Sequence, residues 1–149
     1  MEIMVYYMKS DAFIPSRLEL RQISSDVVAD LVDIATSNRS EKVRGRAIQS
    51  LALYRSDQRA VKTLSELMSD FEPGDELFPA VLVSYAQTLG EKSVDEIDEF
   101  ARHHREDVRM AAVVALGRYG GNAGMRVLAE VAESEEHPVI QKRINRYLN

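Results

Sequence analysis

The chain has 149 residues, of which 45% are hydrophobic and 29% are charged, as is typical of one soluble globular unit. It contains no cysteine, which excludes disulfide bonds, thiolate nucleophiles and thiolate metal sites. Its formal net charge of −5 argues against nonspecific binding of nucleic acid, because such binding depends on lysine and arginine side chains that neutralise phosphates.

The N-terminal segment Ile3–Met8 is apolar, but it is much shorter than the run of about 20 apolar residues that crosses a membrane. Glu2 precedes it where a signal peptide would have a basic region. We therefore expect a cytoplasmic protein without a signal peptide. We interpret residues 1–24 as a degenerate cap over the open end of the fold, and the alternative is an exposed docking strip. The apolar side chains of this segment are Ile3, Val5, Tyr6 and Met8.

From residue 25 onward, apolar residues at positions i, i+3, i+6 and i+7 occur as a pattern four times. The four copies begin at Val28, Val61, Val94 and Met125, and these starts lie 33, 33 and 31 residues apart. This spacing places the apolar residues on one face of an α-helix. Four copies at nearly constant intervals indicate one structural unit that is used repeatedly. We call these four predicted helices the B helices.

A second set of predicted helices, the A helices, alternates with the B helices. Its apolar stripe at i, i+4 and i+8 begins at Val43, Leu77 and Val108, which lie 34 and 31 residues apart. Val139 begins a fourth copy, in which Arg143 replaces a small or apolar residue. We expect this replacement in a terminal helix that has nothing packed on its outer side. The repeating unit is thus an A helix, a short turn and a B helix.

The segment Arg105–Gly121 is the clearest of the predicted A helices. Its apolar residues share one face with an alanine-rich flank, where a second helix can approach closely. They are Val108, Ala111, Ala112, Ala115, Leu116 and Tyr119. Gly120 and Gly121 end the helix, because glycine adopts the left-handed conformation without a steric penalty. A helix so rich in alanine buries little apolar surface alone and requires neighbouring helices.

Capping residues mark several predicted starts of B helices. Ser93 and Glu96 have the spacing of a capping box, in which each side chain accepts a hydrogen bond from the backbone N–H of the other residue. Asp57 and Asn122 are suitable N-caps for two other B helices. The loop Ser69–Asp75 is long, and we expect it to be the most mobile connection and a secondary contact for a partner.

Residues 42–56 and 107–121 resemble HEAT-like repeats, especially the short bacterial type related to the phycocyanobilin-lyase repeats. The shared features are Val43-Arg44 and Val108-Arg109, then the small residues Ala47 and Ala112, and then Leu51 and Leu116. The resemblance covers about residues 25–149, although residues 76–90 lack the Val-Arg pair. It implies an all-α, armadillo-like fold: a right-handed superhelix of about four helical pairs with the N-terminal cap.

In HEAT-like repeats the A helices form the convex layer, and the B helices line the concave surface where partners bind. With the opposite phasing of the repeat, the A helices would form the inner layer, and the sequence leaves both possibilities open. We expect Arg44 and Arg109 to contact neighbouring turns of the chain rather than a ligand. The resemblance identifies an architecture more than a function, because this fold serves many roles.

The B helices are predicted to expose an acidic face. Position i+5 points away from the buried face, and in the four copies it holds Asp33, Glu66, Glu99 and Glu130. A surface lined by one sign of charge attracts the opposite sign. We therefore predict a noncatalytic scaffold or adaptor for a protein with a basic or helical segment, and the alternative is a solvated face with local ion pairs. The predicted partner-binding residues are Asp33, Lys62, Glu66, Asp95, Asp98, Glu99, Arg102, Arg126 and Glu130.

Catalytic residues, metals and cofactors are not expected. HEAT-like deoxyhypusine hydroxylases hold two metals with repeated His-Glu pairs, and this chain contains no His-Glu dipeptide around His103, His104 or His137. HEAT-like DNA glycosylases have a basic, aromatic concave face, whereas the face predicted here is acidic. We expect neither nucleic acid nor a membrane as a partner.

The sequence leaves two alternatives open. The phycocyanobilin-lyase relatives imply a chaperone-like or lyase-associated subunit that acts on a chromophore-bearing or other client protein. Self-assembly into a homo-oligomer is the other, with the terminal surfaces or Ile3–Met8 joining copies of the chain.

Overall fold

A computed structural model describes the backbone of residues 17–149 and the side chains of residues 27–149. Over these residues the fold is all-α and contains no strand. The α-helices are α1 (Arg17–Thr36), α2 (Glu41–Leu51), α3 (Gln58–Asp70), α4 (Phe78–Leu89), α5 (Val94–Ala101), α6 (Glu106–Tyr119), α7 (Gly121–Ala132) and α8 (Pro138–Leu148), and a 3₁₀ helix, Gly90–Ser93, connects α4 to α5.

The predicted cap lies largely outside the described residues. This applies to Ile3, Val5, Tyr6 and Met8, for which both interpretations stay predictions. The predicted boundary between cap and repeats, at residue 24, lies within α1. In the part of the chain that the structure describes, no helix combines the length and apolar character needed to span a bilayer.

The two predicted sets of helices alternate along the chain. The B helices are α1, α3, α5 and α7, and the A helices are α2, α4, α6 and α8. Each A helix contacts the next A helix, while α1 contacts α3 and α5 contacts α7. The central helix α6 packs against α4, α5, α7 and α8. The principal contacts therefore join helices that are one or two positions apart in the chain.

The apolar pattern of the B helices predicts their buried faces correctly. Its second positions, Leu31, Leu64, Ile97 and Leu128, are at most 2% exposed. Full burial of such a side chain contributes about 1.5–3 kcal/mol. These residues lie in one apolar core together with the buried residues of the A helices. The opposite face of each B helix is consequently left to solvent.

The stripe predicted for the A helices is correct in α6, where Val108, Ala112 and Leu116 are fully buried. It is wrong at Val43, which is 41% exposed at the start of α2.

The stripe is also wrong in α8, where Val139 is 59% exposed. That helix buries Ile140 and Ile144 instead, one position further along the chain. The shift has a physical reason, since the isoleucine pair buries more apolar surface than Val139 with Arg143 and keeps the Arg143 charge nearer to water.

Two glycines allow α7 to start directly after α6. Gly121 has a φ of +58°, as expected for the glycine that ends α6. Gly124 lies on α7 against the backbone of α6, where an added Cβ would be 2.4 Å from the carbonyl oxygen of Leu116. The close approach of the two helices therefore requires glycine at this position.

The predicted caps have different outcomes. Asp57 is an N-cap as predicted, because its Oδ1 accepts a hydrogen bond of 2.9 Å from the backbone N–H of Arg59. The capping box is wrong, because the Ser93 side chain accepts no hydrogen bond from the first turn of α5 and its backbone is already helical (φ −86°, ψ −11°). The Ser93 hydroxyl instead donates to the Gly90 carbonyl at 2.7 Å. Asn122 is also not an N-cap, because α7 begins at Gly121 and has Gly120 as its N-cap residue.

Candidate partner-binding surface

An acidic side chain lies on the exposed face of each B helix. Asp33 on α1, Glu66 on α3, Glu99 on α5 and Glu130 on α7 are all exposed, because the opposite face of each helix packs into the core. Asp95 is exposed and Asp98 is partly exposed on α5. We name these six residues, Asp33, Glu66, Asp95, Asp98, Glu99 and Glu130, the acidic surface.

Arg102 joins two members of the acidic surface. Its guanidinium group donates to the carboxylate of Asp98, and its Nη2 lies 3.5 Å from Oε2 of Glu130. The contact links the end of α5 to α7. Because one cation meets two carboxylates, this part of the surface keeps a negative charge. Exposed ion pairs of this kind contribute only about 0–1 kcal/mol each.

Local pairing is limited over the rest of the acidic surface. Lys62 lies 3.7 Å from Glu66 one turn away on α3, and both side chains are mostly exposed. No ion pair joins Asp33, Asp95 or Glu99 to any side chain of residues 27–149, and the same holds for Arg126. Charge on the B helices is therefore only partly neutralised by neighbouring bases.

Glu96 differs from its acidic neighbours on α5 because its carboxylate accepts a hydrogen bond from a tyrosine on another helix. The hydroxyl of Tyr85 on α4 donates to Oε2 of Glu96 at 2.6 Å. Burial of Tyr85, together with the hydrogen bond to Glu96 and the negative charge of that carboxylate, raises the pKa of Tyr85 to about 12. No pattern in the sequence predicts this contact, which joins residues on neighbouring A and B helices.

We expect the Tyr85 phenol to ionise well above its ordinary pKa of about 10. The folded state holds the phenol proton more tightly than the unfolded state, so the stabilisation is complete below pH 10 and is lost as the pH rises towards 12. The ultraviolet absorbance of tyrosinate, taken as the difference between wild type and Tyr85→Phe, measures the titration. Glu96→Gln should lower the midpoint, and a wild-type midpoint near 10 would disprove the interaction.

A second polar cluster connects α6 to the loop between α7 and α8. Arg109 donates from Nε to Oε2 of Glu135 at 2.9 Å and from Nη2 to Oε1 at 3.3 Å. Its Nη1 also donates to the carbonyl oxygens of His103 and His104, at 3.0 and 3.1 Å. Arg109 therefore holds two loops together, which confirms the expectation that it contacts neighbouring turns of the chain.

The carboxylate of Glu135 is almost completely enclosed, with 4% of its side chain exposed. Burial alone would raise the pKa of Glu135, but the hydrogen bonds from Arg109 and from the backbone N–H of His137 outweigh this effect. The pKa of Glu135 is consequently lowered, and the group forms a buried ion pair with Arg109.

Arg44 on α2 occupies the position in its repeat that Arg109 occupies on α6. Its Nε donates to the Ala35 carbonyl at 3.1 Å, and its guanidinium group lies 5.3 Å from the centre of the Phe71 ring. Arg44 and Asp70 both line a surface cavity of about 440 Å³. Asp70 follows Arg44 by 26 residues, the same separation as between Arg109 and Glu135. Both arginines therefore make structural contacts, but only Arg109 has a buried carboxylate partner.

Another pair of acids lines the cavity beside Arg44. The pKa of Glu41 is raised by a hydrogen bond with the carboxyl group of Glu76, by partial desolvation and by the negative charge of Glu76.

Within the described residues, no group of three or more histidine, aspartate or glutamate side chains could hold a metal ion.

The chain matches no family model, and no curated protein matches it either.

The histidines lie at the starts of two A helices. Nδ1 of His103 accepts a hydrogen bond from the backbone N–H of Arg105 at 3.1 Å. Nδ1 of His137 accepts from the backbone N–H of Val139 at 3.3 Å, and its Nε2 lies 3.3 Å from the carboxylate of Glu106. These rings cap or precede helices, a use that their positions just before α6 and α8 could have suggested.

Proposed function

We propose that the chain is a noncatalytic HEAT-like scaffold or adaptor of the cytoplasm, which binds a basic or helical segment of another protein on its acidic surface. In this proposal the alternating helices form a right-handed superhelix of four helical pairs. The B helices line its concave side, and the residues beside the acids, Lys62, Arg102 and Arg126, help to define which partner fits.

One observation carries the proposal: all four B helices present an acid at the same position of their repeated pattern. Core packing does not require this, because an exposed position accepts many polar residues. Like charges on the contacting helices α1 and α3, and on the contacting helices α5 and α7, produce a field that attracts a basic segment and repels nucleic acid. The principal helix contacts join helices that are one or two positions apart in the chain, and this supports the repeat architecture.

The ion pairs on the surface are compatible with this function. Arg102 and Lys62 are exposed, and their pairs with Asp98, Glu130 and Glu66 are weak enough to rearrange when a partner's lysine or arginine arrives. Asp33, Asp95 and Glu99 offer carboxylates that form no ion pair with residues 27–149. Binding should therefore weaken steeply with added salt.

A defined basic probe tests the proposal. We expect a fluorescent amphipathic helical peptide with lysines along one face to bind the wild-type chain, measured by anisotropy at low salt. The triple variant Glu66→Lys, Glu99→Lys, Glu130→Lys should weaken binding at least about tenfold, which corresponds to about 1.4 kcal/mol. Its melting temperature should stay close to that of wild type, because the exposed pairs contribute little.

A matched control changes the net charge by the same amount elsewhere. Glu41, Glu72 and Glu76 are exposed and lie outside the acidic surface, so reversing these three charges should leave peptide binding nearly unchanged. Equal loss of binding in both triple variants would show that only net charge matters. Equal binding by wild type and the first triple variant would remove the acidic surface from the proposal.

A further inference from the structure

Two helices of the chain carry strongly opposite charge. The B helix α5 contains Asp95, Glu96, Asp98 and Glu99 and no basic residue. The A helix α8 contains Lys142, Arg143 and Arg146 and no acidic residue. Because they belong to different sets of helices and have no principal contact with each other, their charges do not neutralise one another within one copy.

One face of α8 is not covered by any other described element. Ile140 and Ile144 are buried, and α8 packs on α6 and α7. On the free face Val139 is 59% exposed, and Lys142 and Arg146, which follow at intervals of three and four residues, are exposed beside it. None of the three basic side chains of α8 forms an ion pair with residues 27–149.

This face has the chemistry of a partner for the acidic surface. It is helical, it is basic, and it contains the exposed apolar side chain of Val139 beside its charges. The acids of α5 and α7 are opposite to it in sign, and Arg102 neutralises only part of their charge. Complementary charge on two different patches of one chain allows the patches of different copies to meet.

We propose that a second copy of this chain is a partner, with the exposed face of α8 docked on Asp95, Asp98, Glu99 and Glu130 of the other copy. The inference rests on the proposed function, because it uses the same acidic surface. Two different patches meet in this contact, so the association is head to tail. Each added copy presents a further free patch, and the assembly grows with concentration unless it closes into a ring.

Sedimentation velocity over a series of chain concentrations tests the inference. The wild-type chain should associate at low salt and dissociate at high salt, because exposed charges form most of the contact. Two double variants each neutralise two charges of one patch: Lys142→Gln with Arg146→Gln in α8, and Glu99→Gln with Glu130→Gln on the acidic surface. Each double variant alone should remain monomeric.

An equimolar mixture of the two double variants gives the sharpest result. One variant keeps its acidic surface and the other keeps its basic helix, so we expect a one-to-one dimer that does not grow further. The control Lys42→Gln with Arg46→Gln removes two exposed charges from the A helix α2 and should associate like wild type.

Several outcomes would overturn the inference. Wild type that stays monomeric at every concentration and salt would do so, as would association that persists in both double variants or a mixture that forms no dimer. If the chain stays monomeric but the lysine peptide binds through Glu66, Glu99 and Glu130, only the self-association falls. If neither the second copy nor the peptide uses these acids, the proposed function falls as well.

Discussion

Replacing Arg109 with alanine should destabilise the fold by about 3–5 kcal/mol, the usual cost of removing one partner from a buried ion pair. Glu135, whose side chain is 4% exposed in the wild-type chain, then lacks its cation. It also removes the donors to the carbonyl oxygens of His103 and His104. Urea unfolding of the variant and of wild type measures the difference.

Two other arginines provide controls for this prediction. Arg105→Ala removes an exposed pair with Asp107 and should cost at most about 1 kcal/mol. Arg44→Ala removes one hydrogen bond to a carbonyl and the contact with the Phe71 ring, and should cost about 1–2 kcal/mol. A loss for Arg109→Ala no larger than that for Arg105→Ala would show that the Glu135 pair is not buried in solution.

The pair between Arg109 and Glu135 also gives the fold a dependence on pH. Because the pKa of Glu135 is lowered, its stabilisation is complete above the ordinary pKa of a glutamate and is lost as the pH falls through the lowered value. Arg109→Ala should remove this part of the acid sensitivity, so the difference in stability between wild type and variant should shrink at low pH.

Replacing Ile140 with alanine should destabilise the fold by about 2–5 kcal/mol, because Ile140 is 1% exposed and the lost methyl groups leave a cavity against the core. Val139→Ala, one position earlier on α8, should change stability by no more than about 0.5 kcal/mol, since Val139 is 59% exposed. Thermal and urea unfolding of the two variants compares them directly. A larger effect at Val139 than at Ile140 would restore the register that the repeat spacing predicts.

The B helices could be predicted because their pattern contains four apolar positions, which together define one face of a helix without ambiguity. The A helices have only three positions at intervals of four, and a stripe with so few members tolerates a shift by one residue. In α8 the spacing from the preceding copy selects Val139, whereas packing selects Ile140 and Ile144. Tertiary burial overrides sequence spacing at this point.

The failed caps have a similar origin. Ser93 and Glu96 have suitable residue types, but the 3₁₀ helix Gly90–Ser93 leads directly into α5 and gives Ser93 a helical backbone instead of the extended one that an N-cap needs. Asn122 would suit an N-cap, yet the φ of +58° at Gly121 starts α7 without a longer turn. Local residue preferences do not contain this information about neighbouring backbone.

The candidate surface could be predicted in position but not in its contacts. The exposure of Asp33, Glu66, Glu99 and Glu130 follows from the helical period. The pairing of Arg102 with Glu130 joins residues on two different helices, and the pairs Tyr85 with Glu96 and Arg109 with Glu135 also depend on how helices and loops pack. No local pattern in the sequence predicts which of these side chains meet.

Backbone amide chemical shifts of the isotope-labelled chain, recorded by NMR during titration with the lysine peptide, test the central claim most directly. We predict that the largest changes lie on the exposed faces of α3, α5 and α7, around Glu66, Glu99 and Glu130, and that they disappear at high salt. Changes confined to the A helices α2, α4 and α6, or no change at a saturating peptide concentration, would contradict a partner-binding role for the acidic surface.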